Sequence, residues 1–192
     1  VTEMAAFKNG EVDFIASFSP EHVDTMKAQS PKAQIMTGKE TTPMLAQMRV
    51  TIPKDGKPMS KDRAPHPIFS DIRVRKAVGC YGIDRKEIVK IAFKGQATPW
   101  VGIIPPGTPD SADVTHLCPY DPTRAKALLA EAGYDPQKPL TFELMTNTEK
   151  SVFNVIATVI KEQVARIGVT VNIRLVDKVT WMNVATQEDR KS

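Results

Sequence analysis

The sequence predicts a fold of the α/β class, with α+β as the alternative, in which helices flank a mixed sheet. The strongest observation is a β-α-β pattern near the carboxyl end. Apolar residues alternate over 140–145, follow one helical stripe over 151–167, and alternate again over 169–175. This pattern requires two parallel strands joined by a right-handed crossover. Two capped helices and one extended segment upstream support the same class.

The amino-terminal part predicts two short helices around a strand. The first helix ends at Asn9-Gly10, a pair that commonly stops helices, and residues 11–16 are expected to be a short strand. Ser19 followed by Pro20 predicts the start of a second helix, which closes near residue 30.

An extended segment and a long loop are predicted next. Residues 44–52 have one apolar face and one mixed face, and Gln47 and Arg49 lie on the mixed face. This indicates a strand with one side on the core and the other toward solvent or a cleft. Residues 54–67 are rich in Pro and Gly and are interpreted as a loop, in which His66 is expected to be solvent-exposed rather than a metal ligand.

Residues 69–94 predict two consecutive capped helices. Ser70 is the expected N-cap of the first helix, whose buried stripe is Val74, Ala77, Val78 and Tyr81. Asp84 is the expected N-cap of the second, and Glu87 stands where a capping box requires it. The basic residues of this stretch lie mostly off the apolar stripe, which favours a solvated face over an anion site.

The segment that follows carries Trp100, which has two possible roles. Prolines hold residues 95–109 extended, so Trp100 either covers the edge of the core or lines a ligand cleft. Asp121, with Pro122 at the first helical position, then predicts a further helix that ends at Gly133. A last amphipathic helix is expected around Trp181.

Composition excludes several classes of protein. No apolar run approaches the roughly 20 residues of a membrane span. The net charge is +4, and the basic residues are scattered among acidic ones, so nucleic-acid binding has little support. Cys80 and Cys118 have no metal-ligand spacing. They either form one disulfide or are buried separately, and the spacing does not decide between these alternatives.

Three stretches resemble one family. Residues 69–78, FSDIRVRKAV, with residues 82–89, GIDRKEIV, are similar to the signature of the family 5 extracytoplasmic solute-binding proteins of ABC transporters. Residues 104–107, IPPG, and residues 120–134, YDPTRAKALLAEAGY, match the same family in order. The resemblance implies a periplasmic-binding-protein-like lobe.

The resemblance also implies how the chain is divided. Such receptors are typically more than twice this length, so the chain is expected to be a part of one. Residues 1–38 would trail from the first lobe, residues 39–178 would form the second lobe, and residues 179–192 would lead back toward the missing first lobe.

By resemblance, the expected function is capture of a small solute for an ABC importer. The solute would be a peptide, opine, sugar or metal complex, with a peptide-like solute favoured, and the partners would be the membrane permease and the first lobe. The location would be periplasmic or otherwise extracytoplasmic. No catalytic residues, cofactor, metal or nucleic acid is expected. The alternatives are an interaction module of the same fold without transport, or an enzyme domain, although the sequence lacks the G-x-S-x-G, Walker and H-E-x-x-H motifs.

The expected ligand-binding residues are Asn147, Glu149, Lys150, Gln47, Arg49 and Trp100. Residues 146–150 follow a predicted strand and precede a helix, and ligands of α/β sheets tend to bind beyond strand carboxyl ends. In dipeptide-binding relatives this loop carries an arginine that would hold the peptide carboxylate, and here no arginine is present. A different or uncharged solute is therefore plausible. The alternative is that Asn147 and Thr148 only cap the helix.

Overall fold

The structure is a computed structural model that describes residues 2–16, 22–36, 44, 46–56, 60–102, 104, 106, 108–149 and 151–186. The α-helices are α1 (Thr2–Lys8), α2 (Val23–Gln29), α3 (Ile72–Arg75), α4 (Arg85–Phe93), α5 (Pro122–Glu131), α6 (Ser151–Ala165) and α7 (Lys178–Thr186). The strands are β1 (Thr51–Pro53), β2 (Arg63–Pro65), β3 (Leu140–Asn147) and β4 (Val169–Val176). A π-helical turn, Lys76–Tyr81, continues α3, and a 3-10 turn covers Thr115–Leu117.

The β-α-β unit is confirmed. Strands β3 and β4 are parallel and pair in register from Leu140 opposite Val169 to Asn147 opposite Val176, with α6 between them in the chain. Strands β1 and β2 pair antiparallel, with Ile52 opposite Ala64. Within the described ranges each pair forms its own two-stranded sheet. The molecule therefore mixes helices with parallel and antiparallel strand pairs.

One hydrophobic core holds the central helices against the parallel strands. The predicted stripe Val74, Ala77, Val78 and Tyr81 is buried, with at most 7% of each residue exposed. Further members of the core come from α5, β3, α6, β4 and the segments beside these elements; they include Phe69, Cys80, Ile83, Ala125, Leu129, Leu140, Ile160, Val164, Ile167, Val169 and Val171. Burial of this stripe explains why α3 and the π-helical turn form one continuous element, since the same face continues through both.

Two predictions about the segments before the core were wrong. The expected strand over 44–52 begins only at Thr51, and its described residues before Thr51 are irregular, although Met48 packs on the core. The expected loop over 54–67 contains β2. Arg63 joins the strands, because its Nε donates to Oγ1 of Thr51 at 2.8 Å. The loop closes a hairpin, which local periodicity did not reveal.

The amino-terminal predictions had mixed outcomes. α1 ends at Lys8, and Gly10 has a φ of 74°, as a helix stop requires. Residues 11–16 form no strand, and no described segment pairs with them. Ser19 and Pro20 lie outside the described residues, and α2 itself begins at Val23.

His66 is half-buried, not solvent-exposed as expected. Its Nδ1 accepts hydrogen bonds from the backbone N–H groups of Ile68 and Phe69, each at 3.1 Å. Its ring also stacks on Phe69, with the centroids 5.4 Å apart. His66 therefore shapes the turn that leads from β2 into α3.

The helix caps agree with expectation at two sites and differ at one. Asp121 caps α5 and Asp84 caps α4, the latter by accepting hydrogen bonds from the backbone N–H groups of Lys86 and Glu87. The first helix is capped by Asp71 instead of Ser70, because the Asp71 carboxylate accepts from the N–H of Arg73 at 2.8 Å. The Ser70 hydroxyl instead donates to the carbonyl of His66.

The capping box predicted for α4 does not close through Glu87, because a residue of another helix accepts the hydrogen bond from the N–H of Asp84. Gln163 of α6 is 0% exposed, its Oε1 accepts from the N–H of Asp84 at 3.0 Å, and its Nε2 donates to the Asp84 carbonyl at 3.1 Å. The same Nε2 donates to Glu87 at 2.6 Å. Glu87 therefore faces Gln163 and Arg166, whose hydrogen bonds hold the pKa of the Glu87 carboxyl below its ordinary value, with Arg166 contributing more.

We predict that Gln163→Leu lowers the free energy of unfolding by about 2 kcal/mol, because buried polar groups of Asp84 lose their partners. Urea denaturation monitored by circular dichroism measures this. Gln137→Leu is the matched control, since Gln137 is exposed, and it should change stability by less than about 0.5 kcal/mol. Equal losses in the two variants would contradict the structural role of Gln163.

Cys80 and Cys118 are bonded, which decides between the alternatives that the sequence left open. Cys80 lies in the π-helical turn, and Cys118 follows the 3-10 turn, 38 positions later. The bond ties the irregular segment before α5 to the core. Disulfides persist in oxidising compartments, so this one favours a location outside the cytoplasm.

Candidate functional site

The carboxyl ends of β3 and β4 lie side by side and begin the candidate site. Asn147 and Val176 are the last paired residues of the two strands. The pairing extends one residue further, because the N–H of Thr148 donates to the carbonyl of Val176 at 3.0 Å. The loop before α6 and the loop before α7 therefore start next to each other.

Asn147 is buried at this edge and shapes its loop. It is 5% exposed, and its Oδ1 accepts a hydrogen bond from the N–H of Glu149 at 3.2 Å. This bond spans two residues and forms an Asx-turn ahead of α6, which begins at Ser151. Asn147 thus holds the turn that presents Glu149.

An ion pair joins the loop after β3 to the first residue of α7. The Glu149 carboxylate lies 3.3 Å from Nζ of Lys178, and both side chains are about half exposed, at 55% and 56%. Next to Lys178, Asp177 accepts hydrogen bonds from the N–H and hydroxyl of Thr180, at 2.9 and 2.6 Å. The bond from the Thr180 hydroxyl is the main cause that lowers the pKa of Asp177. Asp177 is therefore occupied as the cap of α7, and Glu149 and Lys178 are paired at the surface.

Sequence reasoning missed Lys178. The signal that would have found it is topological, because the loop after the second strand of a parallel pair must lie beside the loop after the first. Lys178 is the second residue after β4.

Gln47 and Arg49 form a second group, on the segment before β1. Both side chains are exposed. Burial, and next the positive charge of Arg49, lower the pKa of His66. Phe69, which stacks on His66, links that ring to β3. Its own ring packs edge to face on Phe142 of β3, with the centroids 5.1 Å apart.

Trp100 is the remaining described residue of the predicted ligand-binding set. Its side chain is half-buried near Val114, and its Nε1 is buried with no hydrogen-bond partner in the part of the chain that the structure describes. The structure brings Asn147 and Glu149 together and places Gln47 with Arg49. Lys150 lies outside the described residues.

Other candidate features lie away from the strand ends. One shallow depression is lined by residues of α4 and by Arg166, and another by Phe7 and residues 30–33. The described ranges contain no group of three or more His, Cys, Asp or Glu residues placed to hold a metal ion. None of the described helices is both long enough and apolar enough to cross a membrane.

Comparison with known families gives one match over almost the whole chain. The model of the family described as "Bacterial extracellular solute-binding proteins, family 5 Middle" matches residues 1–191.

Two curated relatives show the range of similarity. Di/tripeptide-binding protein 2 of Pseudomonas aeruginosa is 39% identical over 109 residues, which are 56% of this chain and 20% of that protein. The glutathione-binding protein GsiB of Escherichia coli is 28% identical over 176 residues, which are 92% of this chain and 31% of that protein. The chain thus spans between a fifth and a third of the length of these relatives.

A solved structure is similar over the whole chain. The ABC transporter substrate-binding protein CtaP of Listeria monocytogenes aligns with a TM-score of 0.69 at 22% identity, covering 100% of this chain and 35% of that one. At this identity the likeness concerns the fold.

Proposed function

This chain belongs to family 5 of the bacterial extracellular solute-binding proteins, and from that premise we propose that it forms one wall of the solute-binding cleft of an ABC-importer receptor. The family consists of solute-binding proteins, which are not enzymes, and its members work outside the cytoplasm. We place residues 39–178 in the second lobe, with residues 1–38 and 179–192 as the connections to the first. The receptor would be periplasmic or otherwise extracytoplasmic and would present its solute to the importer's membrane permease.

The observation that carries the proposal is that the carboxyl ends of β3 and β4 lie side by side. Solutes of α/β proteins bind beyond strand carboxyl ends, where loops and free helix N–H groups gather. Asn147 fixes the turn at this edge, and Glu149 extends from it into solvent. We assign Asn147, Glu149 and Lys150 to the solute site at this edge, and Gln47, Arg49 and Trp100 to its surroundings.

A peptide-like solute is favoured by the relatives, since the two curated proteins are named for di- or tripeptides and for glutathione. The described loop contains no arginine between Thr146 and Glu149. A peptide carboxylate, if bound here, would therefore need another cation.

The function is tested by native mass spectrometry of the full-length receptor that carries this chain, purified from its host, with identification of any small molecule released on denaturation. We expect a co-purified peptide-like solute. The 192-residue chain alone should bind that solute weakly or not at all, because a cleft between two lobes buries its ligand only when both walls are present. No released solute, together with no thermal shift against peptides, opines, sugars and nickel chelates, would favour an interaction module instead.

A further inference from the structure

The ion pair between Glu149 and Lys178 is the starting point, and the inference drawn from it rests on the proposed function. One charge comes from the loop after β3 and the other from the first residue of α7, which follows β4, and they meet at the edge assigned to the solute. Neither the loop nor the helix needs the pair for its shape. Asn147 holds the first turn, and Asp177 caps the helix that follows the second strand.

The pair is inexpensive to open. Both side chains are about half exposed, at 55% and 56%, and exposed ion pairs contribute little to stability because water screens them. A ligand that offers a charge of each sign can therefore replace the internal pair with two charge-assisted hydrogen bonds. Closure of a cleft over these bonds excludes water and strengthens them.

The spacing of the pair sets the chemistry of the ligand. A carboxylate and an ammonium 3.3 Å apart match a ligand whose own ammonium and carboxylate are equally close. An α-amino acid group has this arrangement, because both charges are attached to one carbon and lie about 3 Å apart. In an α-linked peptide the terminal charges are separated by at least one further residue, or roughly 3.8 Å more.

Two exposed apolar residues lie close in sequence to Lys178. Leu175, on β4, is 54% exposed, and Val179, directly after Lys178, is 69% exposed. They offer an apolar surface to the aliphatic part of a ligand whose charged group is held by the pair.

We propose that Glu149 and Lys178 together recognise a zwitterionic α-amino acid group on the solute. Glu149 accepts hydrogen bonds from its ammonium, and Lys178 donates to its carboxylate. Solutes that keep both charges on one carbon, such as free amino acids or peptides linked through a side chain, are bound in preference to α-linked peptides of the same net charge.

The test uses two isomers, γ-Glu-Ala and α-Glu-Ala, which have the same formula and the same charges but differ in whether one carbon carries both. Isothermal titration calorimetry on the full-length receptor at pH 7 is expected to show that the γ-linked isomer binds at least about tenfold more tightly, a difference of about 1.4 kcal/mol. Lys178→Met and Glu149→Gln should each weaken binding of the γ-linked isomer about tenfold and remove the preference.

The same sheet supplies a matched control. Glu143 and Arg174 form a second ion pair, also at 3.3 Å and with side chains 54% and 55% exposed, but in the middle of the strands. Arg174→Met and Glu143→Gln should leave both affinities within about twofold, as expected of an exposed pair remote from the ligand.

Three results would overturn the inference. Equal affinities for the two isomers would overturn it, and so would equal losses of affinity in the Lys178 and Arg174 variants. Both results leave the proposed function intact, provided that a peptide binds. Failure to bind either isomer would also overturn the inference. If the native solute and the wider panel fail as well, the proposed function fails with it.

Discussion

Replacing Cys80 and Cys118 together with alanine is expected to lower the free energy of unfolding by about 4 kcal/mol. The disulfide closes a loop of 38 residues, and a cross-link of that length removes much of the freedom of the unfolded chain. Urea denaturation of the wild type and the double variant under oxidising conditions measures the difference. Because folded domains have only about 5–15 kcal/mol of stability, this loss is large.

Reduction provides the control for this experiment. Dithiothreitol should destabilise the wild type by a similar amount and leave the double alanine variant unchanged. A wild type that is insensitive to reduction would show that the bond constrains the unfolded chain far less than its loop length predicts.

The second large effect is expected for Leu140→Ala. Leu140 begins β3, is 1% exposed, and belongs to the core formed by the central helices and the parallel strands. Truncation of a buried leucine removes its transfer free energy and leaves a cavity, so we expect a loss of about 2–5 kcal/mol. Urea denaturation monitored by tryptophan fluorescence and by circular dichroism measures it.

Leu175→Ala is the matched control for Leu140→Ala. It makes the same chemical change in the paired strand, at a residue that is 54% exposed. We expect a loss of less than about 1 kcal/mol, because little apolar surface leaves contact there. Similar losses in the two variants would mean that the core does not extend to the start of β3 as described.

Local sequence signals predicted the elements whose cause is local. The stripe from Val74 to Tyr81, the caps at Asp84 and Asp121, and the helix stop at Gly133, with a φ of 85°, each depend on residues within one or two turns. The β-α-β unit was predictable for the same reason, because strand alternation and helix periodicity are read along the chain. The family resemblance, carried by short ordered motifs, was confirmed over residues 1–191.

Features that depend on distant partners were not predictable in this way. Strand β2 forms because its backbone pairs with β1, and its residues alone look like part of a loop. Gln163 is a polar residue on the buried face of α6, and only its partner Asp84, 79 positions away, explains why it is buried. The sequence left the pairing of Cys80 with Cys118 open, since the spacing of two cysteines does not give the distance between them.

The candidate site shows the same division. The sequence by itself predicted a strand end and then a helix start around residues 146–150, and so placed Asn147 and Glu149 near a strand end; β3 in fact runs on to Asn147. Only the tertiary structure placed Lys178 beside Glu149, because the register of β3 with β4 brings together the loop after β3 and the start of α7, which are almost 30 residues apart in the chain. The physical reason is that helix and strand periodicity arise from neighbouring residues. Charge pairing, buried hydrogen bonds and disulfides require atoms that meet only when the chain has folded.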